Sequence, residues 1–419
     1  MHKIEEKFDV AVIGGGPAGM MAAGRAAELG AKVVLIEKNP SLGKKLLITG
    51  KGRCNITQAE FDDKEIIKKF GKNGKFLFSS LAAFGPEEAI AFFESLGVKT
   101  KIERGGRVFP VSDRSQDVLM SLQKYLDQNG VQVIYDARVE GFEMFEMEDE
   151  KIKSVELENR IILAEKFVIA TGGKSYPATG STGDGYAWAE KFGHKIIRTA
   201  PALVPVRTAE EWAKEAQGLS LKNVEIKIFQ NNKKQDSRFG EMLFTHFGVS
   251  GPIVLDISKK TGELLEKGEV VLSIDLKPVL APEQLDARLQ RDFQENLNKN
   301  FKNYLPDLLP QKLIDIIINL SDIDPDKKIN FITKDERKKL IHFLKDLRLT
   351  VSGTTGYNQA IVTSGGVDIH EVDSKTMRSR LIDNLYFAGE ILDLDGPTGG
   401  YNLQMCWSTG RAAGTYVVN

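Results

Sequence analysis

Residues 8–38 read FDVAVIGGGPAGMMAAGRAAELGAKVVLIEK, and this stretch decides the fold. Phe8 to Ile13 is a short apolar run, the pattern of a strand buried in a parallel sheet. Pro17 to Leu29 has proline at its first helical position and Gly30 just past its end, so it predicts a helix. Lys32 to Glu37 predicts the next strand. Between the first strand and the helix stand Gly14-Gly15-Gly16-Pro17-Ala18-Gly19. Such a turn lets the backbone approach a pyrophosphate while the helix N-terminus points at its charge. Glycines alone are a weak signal, because any tight turn uses them. Here Glu37 also closes the second strand about 20 residues on, where a carboxylate accepts hydrogen bonds from ribose hydroxyls and disfavours a 2′-phosphate. The stretch therefore predicts a dinucleotide-binding βαβ unit with Gly14, Gly16, Pro17, Ala18, Glu37 and Lys38 at the ligand.

The rest of the chain is ordinary in composition. With 419 residues it exceeds one hydrophobic core, so two or three domains are expected, with room between them for a large cofactor. Apolar residues at 42% and charged residues at 27% exclude a disordered or fibrous chain. A net charge of -1 excludes a whole-chain electrostatic footprint for nucleic acid and leaves only local basic patches. The N-terminal segment enters a strand without a signal-peptide apolar run, and no stretch reaches membrane-span length; a cytoplasmic protein without membrane contact is expected. Cys54 and Cys406 form no CxxC pair, which argues against a redox dithiol or a disulfide framework. His2, His194, His246, His342 and His370 are too scattered to suggest a metal, and none is expected.

Further along, helices are expected near Phe76 to Phe84, from Pro86, and over Gln116 to Asn129. Val131 to Tyr135, Arg138 to Phe145, Ile152 to Leu157 and Arg160 to Leu163 read as a small antiparallel meander. Phe167 to Ala170 is a separate apolar run ending in Thr171-Gly172-Gly173, a turn that presents amides at a strand end. From 196 the character changes. Residues 196–280 are β-rich and 281–349 helical, so 196–349 reads as an inserted substrate or cap domain. Within it Thr333 to Glu336 forms a capping box, with Leu340, Phe343, Leu344 and Leu347 as a packing face. Residues 1–195 and 350–419 then form one split α/β domain of Rossmann type.

Three motifs carry a family resemblance: residues 43–57, GKKLLITGKGRCNIT; residues 243–252, LFTHFGVSGP; and residues 399–404, GGYNLQ. Together they resemble the BaiN/RdsA-type FAD-dependent oxidoreductases. The resemblance implies FAD across a split Rossmann-like domain and an inserted β-barrel plus helical domain over the flavin. It assigns FAD contacts to Lys45, Gly50 and Asn55. On chemistry alone, Lys45 and Arg53 suit pyrophosphate charge, and Cys54 reads as a small buried thiol. Val139, Thr171 and Gly172 complete the first half of the expected cofactor set. Gly389, Glu390 and Asp393 follow a strand over Leu385 to Ala388, where amide and carboxylates suit pyrophosphate and ribityl oxygens. Gly400, Tyr401, Asn402 and Leu403 open a helix whose dipole favours the negative charge of a reduced flavin at its N1 and O2 edge. The segments 179–185 and 362–367 resemble flavoenzyme turns and also suit ordinary turns and bulges.

No second dinucleotide unit follows, so NAD(P)H is expected to dock transiently at the flavin. Hydride delivery to a conjugated carbon–carbon double bond needs a proton at the neighbouring atom, and His246, Tyr357 and Tyr401 are the candidates. The expected acceptor is an enone-like small molecule. One alternative is uracil-ring reduction in ribosomal RNA, for which Lys222, Lys227, Lys233, Lys234 and Arg238 would form a basic surface; a solvated charged face explains them as well. A second alternative is a non-catalytic, redox-responsive flavin-binding protein.

Overall fold

The computed structural model describes residues 3–145 and 148–419. His2 lies outside them. The chain divides into two compact units, Met1–Ala202 with Tyr357–Asn419, and Leu203–Gly356. The crossing points fall a few residues beyond 195/196 and 349/350, because Ile196–Ala202 pairs antiparallel with Val362–Val367 inside the first unit, while Leu347–Thr354 belongs to the sheet of the second.

The first unit is built on a sheet whose centre is the strand Ile4–Ile13. It pairs in parallel with Val33–Ile36 on one side and Arg160–Ile169 on the other. Leu385–Phe387 adds in parallel to the far half of Arg160–Ile169. The register aligns the strand ends: Ile13 lies opposite Ile36 and Ile169, and Ile169 opposite Phe387. Four chain turns, at Gly14, Glu37, Ala170-Thr171 and Ala388-Gly389, thus leave one carboxyl edge of the sheet, the edge at which open parallel sheets bind ligands.

Two expectations for this sheet need correction. Gln132–Ile134 is not part of the meander; it pairs in parallel with Val33–Ile36, as a crossover strand after the helix Ser115–Gln128. Arg160 to Ala170 is not two runs either. It forms one strand, Arg160–Ile169, whose first half pairs antiparallel with Glu148–Leu157 and whose second half pairs in parallel with Leu385–Phe387. The polar Glu165 and Lys166 interrupt its apolar pattern without breaking it.

The C-terminal helix Tyr401–Tyr416 returns to the first helix, Pro17–Glu28. A Cβ on Gly410 would come within 2.5 Å of the Ala18 carbonyl oxygen, and one on Gly414 within 2.4 Å of that of Ala22. Only glycine permits so close a crossing. The same helix holds the 54–58 segment: Trp407 Nε1 donates to the Ile56 carbonyl (2.9 Å), and Thr57 Oγ1 donates to Gln404 Oε1 (2.6 Å).

The second unit has its own core. Six strands close into a barrel, Val206–Thr208 pairing with both Gly248–Ser250 and Leu347–Thr354. The long hairpin Ser220–Gln230 and Lys233–Thr245 turns through Asn231 and Asn232, both at positive φ (51° and 59°), as a two-residue hairpin turn requires. Helices Pro282–Glu295, Gln311–Ser321 and Lys334–Lys345 follow. The last begins with the expected capping box: Thr333 N–H donates to Glu336 Oε2 (2.7 Å) and Glu336 N–H to Thr333 Oγ1 (3.2 Å).

Candidate FAD site

At the sheet edge the glycine turn is locked by its own neighbours. Gly14 N–H donates to the Ile36 carbonyl, Gly43 N–H to that of Gly15, and Gly15 N–H to Glu37 Oε2 (2.7 Å). Glu37 Oε1 accepts from both nitrogens of Asn39 (2.8 and 2.7 Å). Glu37 therefore joins the two strand ends, and its carboxylate oxygens retain acceptor capacity for further hydrogen bonds. Gly14 and Gly19 are forced by crowding: a Cβ on Gly19 would sit 1.8 Å from the Gly14 oxygen, and one on Gly14 2.6 Å from the Ala170 oxygen. Gly16 differs. Its backbone (φ −82°, ψ −177°) suits any residue, and a Cβ there would meet no protein atom within 4 Å. The helix Pro17–Glu28 that it caps has no side-chain cap on its first amides.

Beside this turn lies Thr171, whose buried Oγ1 has no hydrogen-bond partner; in the GKGRCN loop the buried Oδ1 of Asn55 has none either. An open glycine cradle, uncapped helix amides and buried unpaired polar atoms fit a ligand that brings both phosphates and hydrogen-bonding groups.

Lys45 and Glu390, predicted separately, meet each other. Lys45 Nζ lies 2.7 Å from Glu390 Oε2 and donates to Ser175 Oγ at 2.7 Å. Glu390 Oε1 accepts from Ser175 Oγ (2.8 Å) and from the Thr363 amide (2.9 Å). Lys45 is thus balanced by a carboxylate. Arg53 is committed elsewhere as well: it pairs with Glu103 (2.7 Å) and Asp113 (2.9 Å) and stacks 3.9 Å from the Phe109 ring centroid. Both cations, expected at the pyrophosphate, are thus paired with carboxylates distant in sequence. Lys38 donates to Asp184 Oδ2 (2.7 Å). Burial alone would raise the Asp184 carboxyl, yet the hydrogen bond and charge of Lys38 hold it below its ordinary value.

Gly50 (φ 57°) and Gly172 (φ 70°) occupy left-handed turns, and Val139 is buried at the head of its strand. Cys54 is fully buried, and desolvation pushes its thiol up to about 12, partly opposed by a hydrogen bond with Thr49. Its burial suits the packing role expected of it. Asp393 Oδ2 accepts from Asn73 Nδ2 (2.8 Å), and Gly389 N–H donates to Thr409 Oγ1 (3.0 Å). Asn402 closes its own loop, accepting from Gly396 N–H (2.8 Å) and donating to the Gly396 carbonyl (2.9 Å). That loop presents the first turn of the C-terminal helix, which starts after Gly400 (φ 105°) without a side-chain cap. Gln404 N–H makes the first helical bond, to Gly400, so the amides of Asn402 and Leu403 precede the helical ladder.

Over residues 8–416 the sequence matches the HI0933-like protein Rossmann domain. The chain belongs to the HI0933-like family. It is 33% identical to the 3-dehydro-bile acid delta(4,6)-reductase of Clostridium scindens, over 97% of this chain and 98% of that protein. The ribosomal RNA dihydrouridine synthase of Escherichia coli is 34% identical, over 97% of each chain. Among solved structures, a 3-ketosteroid delta1-dehydrogenase from Sterolibacterium denitrificans shares the fold, at a TM-score of 0.54 and 12% identity, covering 98% of this chain and 99% of that one. This member of the HI0933-like family is therefore an FAD-dependent oxidoreductase on an FAD-binding Rossmann-like fold. Membership in an enzyme family sets aside the non-catalytic alternative.

The three proton-donor candidates fall in different settings. Tyr401 is buried at the head of the C-terminal helix. Tyr357 is half-buried, its carbonyl accepting from Tyr176 N–H (3.0 Å). His246 lies in the barrel unit, exposed in the turn between Lys233–Thr245 and Gly248–Ser250, with its ring edge-to-face with that of Phe247.

Sequence reasoning did not single out Ser175, Thr363 or Tyr186. All three converge on Glu390, and the Tyr186 hydroxyl lies 3.4 Å from its carbonyl oxygen. Burial first, then the nearby Glu390, Tyr357 and Asp393, raise the Tyr186 phenol well above its ordinary value. Thr363 and Tyr186 lie within or directly after the two glycine-rich motifs noted in the sequence, which was the available signal. Among the described residues no His, Cys, Asp and Glu side chains group to hold a metal ion, and no single helix is long and apolar enough to cross a membrane.

Proposed function

We propose that this protein reduces an activated carbon–carbon double bond beside a carbonyl in a small, enone-like molecule, with NAD(P)H as the transient electron donor. The observation that carries this reading is the full-length similarity to a reductase whose name specifies a 3-dehydro-bile acid. Bound FAD supplies hydride transfer through its N5. The protein's share is binding, orientation and proton handling. Glu37 would accept hydrogen bonds from ribose hydroxyls, the Gly14–Ala18 turn would hold the pyrophosphate, and Lys45, Glu390 and Ser175 would bind polar groups of the cofactor. The Gly400–Leu403 helix start favours negative charge at the flavin's pyrimidine edge. His246, Tyr357 and Tyr401 are the candidates for delivering the proton.

A second acceptor, the uracil ring of ribosomal RNA, draws on the similarity to the Escherichia coli synthase and on the activated double bond that uracil shares with enones. The basic residues of the barrel hairpin give it little support. Lys227 and Lys234 lie near Glu225 (3.6 Å each), Lys227 also near Asp275, and Arg238 pairs with Asp236 (2.6 Å). Paired cations release fewer counterions on binding a phosphate backbone. The test is anaerobic: FAD-reconstituted protein is titrated with NADH and NADPH, then offered a 3-oxo-4-ene steroid or protein-free ribosomal RNA. Bleaching of the flavin bands and reoxidation by the steroid supports the first reading; reoxidation by RNA alone supports the second. A flavin that no nicotinamide bleaches removes NAD(P)H as donor.

A further inference from the structure

One buried acceptor near the C-terminal helix is unused by the site as described. Gln58 follows the GKGRCN loop, and its Nε2 donates to the Gly105 carbonyl at 2.7 Å. That bond sets the amide orientation, since a flipped amide would place two carbonyl-type oxygens in contact. The other end, Oε1, is buried and has no hydrogen-bond partner. It lies beside Gly399, where a Cβ would come 3.4 Å from Gln58 Oε1, and a Cβ on the next glycine, Gly400, would lie 2.5 Å from the Thr57 carbonyl and 2.9 Å from the Gln58 amide nitrogen. The helix start therefore rests directly on the Thr57-Gln58 peptide. A glutamine oxygen buried without a donor is unfavourable unless an ordered water or a ligand supplies one.

The start of this helix and the Gln58 side chain beside Gly399 thus offer two kinds of group. The amides of Asn402 and Leu403 are donors, and Gln58 Oε1 is an acceptor. The pyrimidine edge of an isoalloxazine ring carries the complementary set, carbonyl oxygens flanking an N3–H. We infer that Gln58 is a flavin-recognition residue whose Oε1 accepts the hydrogen bond of flavin N3–H while the helix start donates to the adjoining oxygen. The inference rests on the flavin reading above and adds to it a residue that fixes which edge of the ring enters this corner. The Gly105 and Gly106 turn (φ 81° and 73°) acts as its support, holding the glutamine through the Gly105 carbonyl.

The test compares FAD with its N3-methyl analogue, which lacks the N3–H, in the full-length protein and in Gln58→Met, an unbranched side chain of similar length. Affinities come from flavin fluorescence titration, without turnover. Wild type is expected to prefer FAD over the analogue by about tenfold, and Gln58→Met to bind the two within about twofold. Because the comparison is a ratio within each protein, a partial loss of fold in the variant cancels. As a second readout, Gln58→Glu places a negative charge at the ring edge and lowers the midpoint potential of the bound flavin. Equal affinity of wild type for both flavins, or the same preference in Gln58→Met, overturns the assignment and leaves the flavin reading standing. Failure of wild type to bind either flavin overturns the flavin reading itself, and the assignment with it.

Discussion

Gly16 and Gly19 are adjacent members of one motif, yet they are glycine for different reasons, and the difference is measurable. A Cβ at Gly19 collides with the Gly14 carbonyl at 1.8 Å, whereas a Cβ at Gly16 meets no protein atom within 4 Å. Gly19→Ala therefore strains the fold itself and is expected to lower the unfolding midpoint of the flavin-free protein by the equivalent of about 1–3 kcal/mol. Gly16→Val should leave that midpoint nearly unchanged, within about 0.5 kcal/mol, while abolishing retention of FAD through gel filtration. Flavin-free calorimetry and the 450 nm band check the pair; a Gly16→Val protein that keeps its flavin would show that no ligand group lies over Gly16. This motif was legible because strand, turn, helix and acid lie within one local stretch. The partners of Lys45 and Arg53 were not. Glu390 is 345 residues from Lys45 and Glu103 is 50 from Arg53, and no spacing in the chain announces either pair.

At the scale of elements, the C-terminal helix has two tasks that its glycines connect. Gly410 and Gly414 let it rest on the first helix at carbonyl contact, and its N-terminus is presented by the Asn402-closed loop against Thr57-Gln58. Widening the crossing should therefore reach the cofactor end. Gly414→Ala, whose methyl would meet the Ala22 oxygen at 2.4 Å, is expected to cost about 1–3 kcal/mol of stability and to weaken FAD binding although Gly414 touches no proposed ligand group. Chemical denaturation with and without FAD separates the two effects; unchanged FAD affinity would uncouple crossing from site. The helix itself was readable from its glycine-rich start and apolar run. Its crossing was not, since only packing tells a spacer glycine from a contact glycine. Likewise the strand Arg160–Ile169 was read as two runs, because a strand that changes from an antiparallel to a parallel neighbour carries two patterns in succession.

For the whole molecule, the decisive feature is that one unit is interrupted by another. The flavin-binding unit leaves off at Ala202 and resumes at Tyr357, and Ala202 pairs directly with Val362 across an antiparallel ladder. Exit and re-entry are thus neighbours in the same small sheet. The apolar residues also separate into two clusters, one around Phe167, Phe387 and Trp407, the other around Phe244, Ile317 and Leu349. Composition hinted at the insertion, but the barrel's closure by Leu347–Thr354 was invisible in a strand that looks like any other apolar run. A chain in which residues 203–356 are replaced by a short glycine–serine linker should therefore fold, since closing so short a gap costs little entropy. It should also retain FAD, because every proposed FAD contact lies in the first unit. Reduction of an enone should be lost if His246, which lies in the barrel unit, delivers the proton. Flavin absorbance of the purified chain and anaerobic reoxidation by a 3-oxo-4-ene steroid check the two halves separately. A linker chain that folds without binding FAD would move part of the cofactor site into the barrel unit, whereas one that still reduces the enone would place acceptor recognition and proton delivery wholly among Tyr357, Tyr401 and their neighbours.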